Sequence, residues 1–291
     1  RHTRLQGDWS SDVCSSDLEN LFAQAEPGVY YRDFERETSG YNVELPTYPA
    51  SKSICALGGI VMNNSGGEKS LQYGQTREYV NSMKIVFSDG NEYEIKKLSK
   101  EELEEKKNQN DFEGDIYKKV HDLVVNNYDV VQKNKPQVSK NSAGYYLWDV
   151  YDKETGDFDL TQLLAGSQGT LGVLTEVNLR LVNKKRHERL IVLFFKNWKA
   201  LPGVVNELLP IEPEGLETFD DATLKLGLRF MPKVAKRVGE SFWRFALRFL
   251  PEVLIGLKMF GLPKLVVLVQ LSENSEGVLE EKTKKILETL K

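Results

Sequence analysis

Apolar and polar residues alternate over 79–87 and 92–97, two runs separated by Asp89-Gly90. That pattern predicts a β-hairpin whose turn uses a glycine at positive φ. Leu174–Val182 alternates in the same way and predicts a half-buried strand. Helical signals surround these strands: 29–37 reads as a short helix, followed by a turn at Ser39-Gly40 and an extended stretch to Pro49. Ser99 with Glu102 is a capping box that opens a charged helix through Lys107, and 115–125 reads as a second helix. A polar, loop-like region then runs to about Thr155.

The pattern changes after Asn183-Lys184-Lys185-Arg186. Arg189–Phe195 reads as a strand, Trp198–Leu209 as a helix, Gly215–Phe219 as a strand, Lys233–Leu250 as a long helix, Lys264–Leu271 as a strand and Ser275–Leu290 as a capped helix. This order predicts an α+β layer with helices over one face of a sheet, and a domain boundary near residue 185. The 291 residues suit two domains.

Composition narrows the class. The formal net charge of -4 argues against a general nucleic-acid binder, and 40% hydrophobic with 28% charged residues fits a folded globular chain. No apolar run reaches the roughly 18–20 residues of a membrane span. Residues Asp8–Leu18, DWSSDVCSSDL, match the translation of a common sequencing adapter, so 1–18 is set aside as a disordered artefact. Two arginines and three aspartates go with it, leaving a net charge of -3 and Cys55 as the remaining cysteine. A lone cysteine gives no disulfide framework and suits a reducing compartment. Adapter joined directly to coding sequence implies that the natural N-terminus is missing.

Two glycine clusters carry the candidate chemistry. The first lies within the Gly/Ser/Asn-rich stretch 51–74, where Gly59, Gly66 and Gly67 permit close backbone approach and Ser51, Ser53, Asn63, Asn64 and Ser65 add side-chain donors. The second is Gly166-Ser-Gln-Gly-Thr-Leu-Gly172. Neither is a phosphate loop or a dinucleotide fingerprint: Glu68 interrupts the Gly-Lys-Ser order, and the segment after Gly172 reads as a strand. On residue type alone each cluster is equally well a set of tight turns.

Together they resemble something definite. YPASKSICALGGIVMNNSGGEKSLQYGQTREYVNSMKIVFSDG followed by LLAGSQGTLGVLTEVNLRL resembles the FAD-binding domain of the vanillyl-alcohol-oxidase/PCMH flavoproteins, in the branch of D-lactate dehydrogenase and glycolate oxidase subunits. The resemblance covers about 27–182 well and 186–291 more loosely, with GLETFDD at a recurrent cap strand. It implies an α+β fold: a PCMH-type two-lobed FAD-binding domain over 19–185, its N-terminal part missing, then a truncated ferredoxin-like cap over 186–291. Ser51, Ser53, Cys55 and Ala56, with Asn63, Asn64, Ser65 and Gly66, would line the flavin and its diphosphate, while Gly59 and Gly67 would let the backbone come close. Gln168, Gly169, Thr170, Gly172 and Val173 would run along the cofactor, with Gln168 standing where such proteins usually carry Glu. Cys55 would be a small packed residue and not a nucleophile.

The implied reaction is hydride transfer from a small D-2-hydroxy acid, such as D-lactate or glycolate, to FAD. The electron acceptor would be a quinone, an electron-transfer protein or an iron–sulfur partner. His121 and His187 read as surface residues; the resemblance implies a His-containing catalytic motif in the later half of the cap, beyond Lys291, so the chain alone is expected to be inactive. No residue pattern nominates a metal site. The alternatives are an oxidase of sugar lactones, alditols or ether-lipid precursors, and a flavin-binding electron-relay subunit without substrate chemistry of its own. Nine basic and two acidic residues fall between Lys225 and Lys264. The helix expected over 233–250 reads first as a cap helix with its Phe face on the sheet. Its second reading is a peripheral contact with the inner face of a membrane, for a protein otherwise cytoplasmic.

Overall fold

Two units divide the chain, 1–184 and 185–291. The computed structural model describes residues 21–237, 239, 241, 247 and 263–290. The adapter-like segment and most of the helix expected over 233–250 lie outside the described residues.

The first unit is built on an antiparallel sheet of five strands. These are β1 (Phe22–Ala25), β3 (Val80–Val86), β4 (Glu92–Leu98), β5 (Phe158–Asp159) and β6 (Val173–Arg180), in the order β1-β6-β3-β4-β5. β3 and β4 form the expected hairpin, with Gly90 at φ 83° in its turn. The alternation along β3 and β6 is broken twice. Asn81 is an extra residue in β3, between the pairs Val80–Leu179 and Ser82–Asn178, and Thr175 is an extra residue in β6, between Lys84–Glu176 and Ile85–Leu174. Each is a β-bulge, and each moves the inward face by one position. Val80, Met83 and Ile85 are therefore all buried, as are Leu174, Val177 and Leu179, although neither set is strictly alternate. Thr175 is held in place by its hydroxyl, which lies 3.2 Å from the Lys84 carbonyl and 2.6 Å from Glu92 Oε1.

Helices cover the apolar residues of this sheet. α1 (Tyr31–Ser39) buries Tyr31 and Phe34. β2 (Val43–Glu44) pairs with β7 (Val182–Asn183), and α2 (Leu57–Met62) and the short α3 (Ser70–Tyr73) follow. α4 (Lys100–Lys107) starts at the expected box: Ser99 N donates to Glu102 Oε2 at 2.8 Å, and Glu102 N donates to Ser99 Oγ at 3.3 Å. α5 (Phe112–Asn126) begins three residues before the sequence pattern suggests, because Asp111 caps it by accepting from Gly114 N at 2.8 Å. α6 (Tyr128–Lys133) lies inside the stretch expected as loop, and α7 (Thr161–Leu164) precedes the second glycine cluster.

Beneath the first cluster, Lys69 Nζ lies 2.7 Å from Glu44 Oε1, with both side chains buried. Such a pair is costly to break from one side only. Lys69→Met should lower unfolding stability by about 3–5 kcal/mol in urea titrations, and the double change Glu44→Leu/Lys69→Met should lower it by less.

The second unit is a split β-α-β layer. β8 (His187–Phe195), α8 (Leu201–Leu208) and β9 (Gly215–Asp220) come first, then α9 (Asp221–Arg237), β10 (Leu265–Glu273) and α10 (Glu276–Thr289). β10 inserts antiparallel between β8 and β9. Its Leu265, Val267, Val269 and Leu271 join Val204, Leu208, Leu279 and Ile286 in one core. The helix expected over 198–209 is a 3-10 turn, Trp198–Ala200, that passes into α8 at Leu201, with Pro202 in the first turn. Ser275 precedes α10 without a side-chain cap bond, so the cap expected there is not made. α9 starts twelve residues before the helix expected at Lys233. Asp220 accepts from Thr223 N at 2.6 Å, and Asp221 is held by Lys225 and Lys264 at 2.9 Å each. Those two ammoniums, Lys225 first, pull the Asp221 carboxyl down to about 2.

Candidate functional site

A helix ends with carbonyls that lack intrahelical donors. At the end of α2 the following turn supplies three of them, with Asn63 N, Ser65 N and Asn64 N donating to Gly59 O, Ile60 O and Val61 O, and the second glycine cluster supplies the rest. Gly166 N donates to Val61 O at 3.1 Å and Gln168 N donates to Met62 O at 2.8 Å. The two clusters, a hundred residues apart in sequence, are thereby joined through their backbones. The join requires left-handed backbone on both sides: Gly166 at φ 90° and Gly169 at φ 76°, with Asn64 at φ 45° and Gln168 at φ 56° although neither is glycine. Asn64 is kept there by its side chain. Its Oδ1 accepts from Arg77 N at 2.9 Å, and its Nδ2 donates to Asn141 O at 3.2 Å. Non-glycine residues in this region cost on the order of 1 kcal/mol or more and persist where surrounding contacts hold them.

The expected site residues divide by where they face. Ser51, Ser53, Gly59, Asn63, Gln168, Gly169, Thr170 and Val173 are exposed. Cys55, Ala56, Gly67 and Gly172 are half-buried, and Asn64, Ser65 and Gly66 are buried. The inward set has structural partners: Ser65 O accepts from Thr76 N at 3.0 Å, and Gly67 N donates to Ser70 Oγ at 2.7 Å. Burial pushes the Cys55 thiol up, which disfavours a thiolate.

The glycines divide in the same way. A Cβ on Gly67 would lie 2.1 Å from Tyr48 O, one on Gly66 2.3 Å from Ser70 Oγ, and one on Gly172 2.5 Å from Ile85 Cγ2. Packing inside the protein accounts for those three. Gly59 and Gly169 face open space, with nothing within 4 Å of such a Cβ. The first cluster is also less of an anion cradle than its composition suggests. Leu57 N and Gly58 N donate to Val29 O and Pro27 O, both at 2.9 Å, and Ile54 N and Cys55 N donate to Ser51 O.

Three features escape the sequence reading. Segment 139–146 lies against both clusters: Asn141 N donates to Gln75 Oε1 at 2.6 Å, Lys140 Nζ to Gly66 O at 3.1 Å, and Tyr145 OH lies 2.8 Å from Thr170 Oγ1. The signal was there in Asn141-Ser-Ala-Gly-Tyr145, a polar, glycine-containing run within a long connection. Ser167, 2% exposed, has a hydroxyl with no hydrogen-bond partner. Arg77 is buried beside the junction, with its guanidinium 3.5 Å from the Tyr146 ring centroid. Neither of the histidines read as surface residues adjoins these contacts: His121 packs edge-on to Tyr151, and His187 pairs with Glu276 at 2.8 Å.

Residues 5–96 match the FAD binding domain family. The chain is 28% identical over 237 residues to glycolate oxidase subunit GlcD of Bacillus subtilis, covering 78% of this chain and 39% of that one. It is 28% identical over 208 residues to D-2-hydroxyglutarate dehydrogenase of Escherichia coli, covering 72% and 20%. A D-lactate dehydrogenase of Anaerostipes hadrus is 25% identical over 228 residues, covering 76% and 37%. The chain thus spans between a fifth and two fifths of these relatives. Among solved structures, alkyldihydroxyacetonephosphate synthase superposes with a TM-score of 0.62 at 13% identity, over 96% of this chain and 39% of that one, which shows a shared fold. The PCMH-type, mixed α+β fold read from the two clusters therefore stands, and FAD is the cofactor of the matched domain.

The residues present fit that cofactor. Gly59 and Gly169 are open, the buried Ser167 hydroxyl lacks a partner, and Ile54 (71% exposed) and Val173 (65% exposed) leave apolar surface uncovered beside the clusters. An unmet buried hydroxyl costs about 1–3 kcal/mol, which a ligand atom would offset. The two kinds of glycine should therefore respond oppositely to a methyl group. Gly67→Ala should destabilise the protein by about 1–3 kcal/mol through overpacking. Gly59→Ala, inside α2, should raise stability by up to about 1 kcal/mol and weaken FAD binding. Urea denaturation and flavin titration of both variants measure the contrast.

Proposed function

We propose that this chain is the FAD-binding part, with a portion of the cap, of an oxidoreductase that oxidises a small D-2-hydroxy acid of the glycolate, D-lactate or D-2-hydroxyglutarate kind. The observation that carries the reading is the backbone join between the two clusters around α2. It leaves Gly59, Gly169, Thr170 and Val173 outward and Ser167 unmet, within a unit related to flavin-dependent hydroxy-acid enzymes. FAD, when bound, supplies the two-electron acceptor.

The protein's own contribution is to bind and to orient. Ser51, Ser53, Cys55, Ala56 and Asn63 form the rim of the first cluster. Asn64, Ser65, Gly66 and Gly67 hold its turn from inside, Gln168, Gly169, Thr170 and Val173 form the facing rim, and Gly172 packs behind that rim against Ile85. Left-handed backbone at Gln168 and Gly169 turns the second segment back across the end of α2. Gln168 takes its position through backbone conformation, so a neutral side chain is compatible with that role. The 2-hydroxy-acid reading is favoured over ether-lipid chemistry because the named relatives act on hydroxy acids, whereas the likeness to the synthase is one of fold. Purified protein reconstituted with FAD should show visible flavin absorbance, and anaerobic addition of glycolate, D-lactate or D-2-hydroxyglutarate to the whole enzyme should bleach it. Absence of bound flavin would overturn the reading.

We also propose that α9 lies on an anionic membrane surface. Leu226, Phe230 and Val234 recur every fourth residue and are all exposed, and Lys225, Arg229, Lys233 and Lys236 run beside them. An apolar strip flanked by cations suits a lipid interface. No helix among the described residues is long and apolar enough to cross a membrane. The protein should sediment with phosphatidylserine vesicles at low salt and be released by Leu226→Ser/Phe230→Ser. Equal recovery with neutral vesicles would count against the assignment.

A further inference from the structure

Arg77 is 5% exposed, yet among the described residues it makes no ion pair. Its Nη1 donates to Gln162 O at 3.1 Å, and its guanidinium lies over the ring of Tyr146. The acidic groups nearest in its field are engaged elsewhere. Glu78 Oε1 accepts from Gln75 N at 3.0 Å, and Asp149 accepts from Lys135 at 2.6 Å and from the Tyr146 hydroxyl. Buried charges are ordinarily paired, because transfer out of water strongly disfavours them. Burial here pushes the guanidinium down to about 10, still charged at neutral pH. The charge sits where the clusters meet: a Cβ on Gly166 would lie 3.2 Å from Arg77 Nη2 and 3.0 Å from Asn64 Cβ.

We propose that Arg77 is the buried counter-charge for the reduced flavin. The proposal rests on the FAD reading above. In the proposed reaction the substrate Cα–H bond breaks with its electron pair, an N5–H bond forms, the hydroxyl proton leaves to solvent and the acid becomes a 2-oxo acid. The reduced ring then carries one negative charge that the oxidised ring lacks. A fixed cation at the junction favours the reduced over the oxidised cofactor, and Arg77 acts by its charge without taking part in proton transfer.

The test is a redox titration of the FAD-loaded full chain, with Arg77→Met and Arg77→Lys beside the wild type. Arg77→Met should bind oxidised FAD within about threefold of wild type and lower the reduced-to-oxidised equilibrium constant at least tenfold, about 30 mV for a two-electron couple. Its affinity for sulfite, which adds to N5 and leaves the ring anionic, should fall at least tenfold. Arg77→Lys should keep both values within about threefold. Wild-type protein at mildly acidic pH should take up one proton per electron pair, a measurement that needs no variant. Unchanged potential and sulfite affinity in flavin-loaded Arg77→Met, or uptake of two protons by the wild type, overturns this assignment alone. A wild-type chain that holds no flavin overturns the FAD reading and this assignment with it. Loss of folding in Arg77→Met leaves the decision to Arg77→Lys and the proton count.

Discussion

The first unit depends on how the end of a six-residue helix is satisfied. α2 is too short to be stable alone, and the turn that follows it leaves the last carbonyl, Met62 O, without a local donor. Gln168 N meets it and Gly166 N adds a second bond to Val61 O, so the turn after α7 and the turn after α2 fix each other. Other contacts follow from that pairing. Asn64 is placed to accept from Arg77, and β6, which begins at Val173, is delivered to the sheet beside β3. A ligand held by both clusters would therefore bind to a frame that exists before it arrives, which reduces the ordering cost of binding.

Local signals made much of the fold legible. The hairpin at Asp89-Gly90, the box at Ser99 and the strand after Gly172 lie where alternation and capping chemistry put them, because each is decided within a few residues. The larger misses fall where the deciding partner lies elsewhere or carries a weak signal. α9 starts at Asp221 through a bond from Thr223 and two lysine contacts, one of them from Lys264. The region expected as loop before Thr155 contains α6, and its later part rests on Gln75 and Gly66, more than sixty residues away.

The glycine clusters were visible as clusters but not as two populations. Composition gives Gly59 and Gly67 the same freedom; the structure gives Gly67 the Tyr48 carbonyl as a neighbour and gives Gly59 none. Ser167 and Arg77 had no sequence signal, since a serine without an acceptor and an arginine without a carboxylate are defined by what fails to reach them. Such residues are recognised only once burial is known, and they are where a folded protein most plainly leaves room for something else.

The two bulges carry a consequence for how the chain can vary. The extra residue in β3 and the extra residue in β6 compensate: the register at Ile85 is the one that would have continued from Val80 had neither been present. Only Ser82–Lys84 and their partners are out of phase with the rest of the sheet. Neither extra residue has a partner across the ladder, so loss of Asn81 alone, or of Thr175 alone, would straighten its strand and leave every other β3–β6 pair in place. The shared edge can therefore shed either residue without a matching change in the other strand.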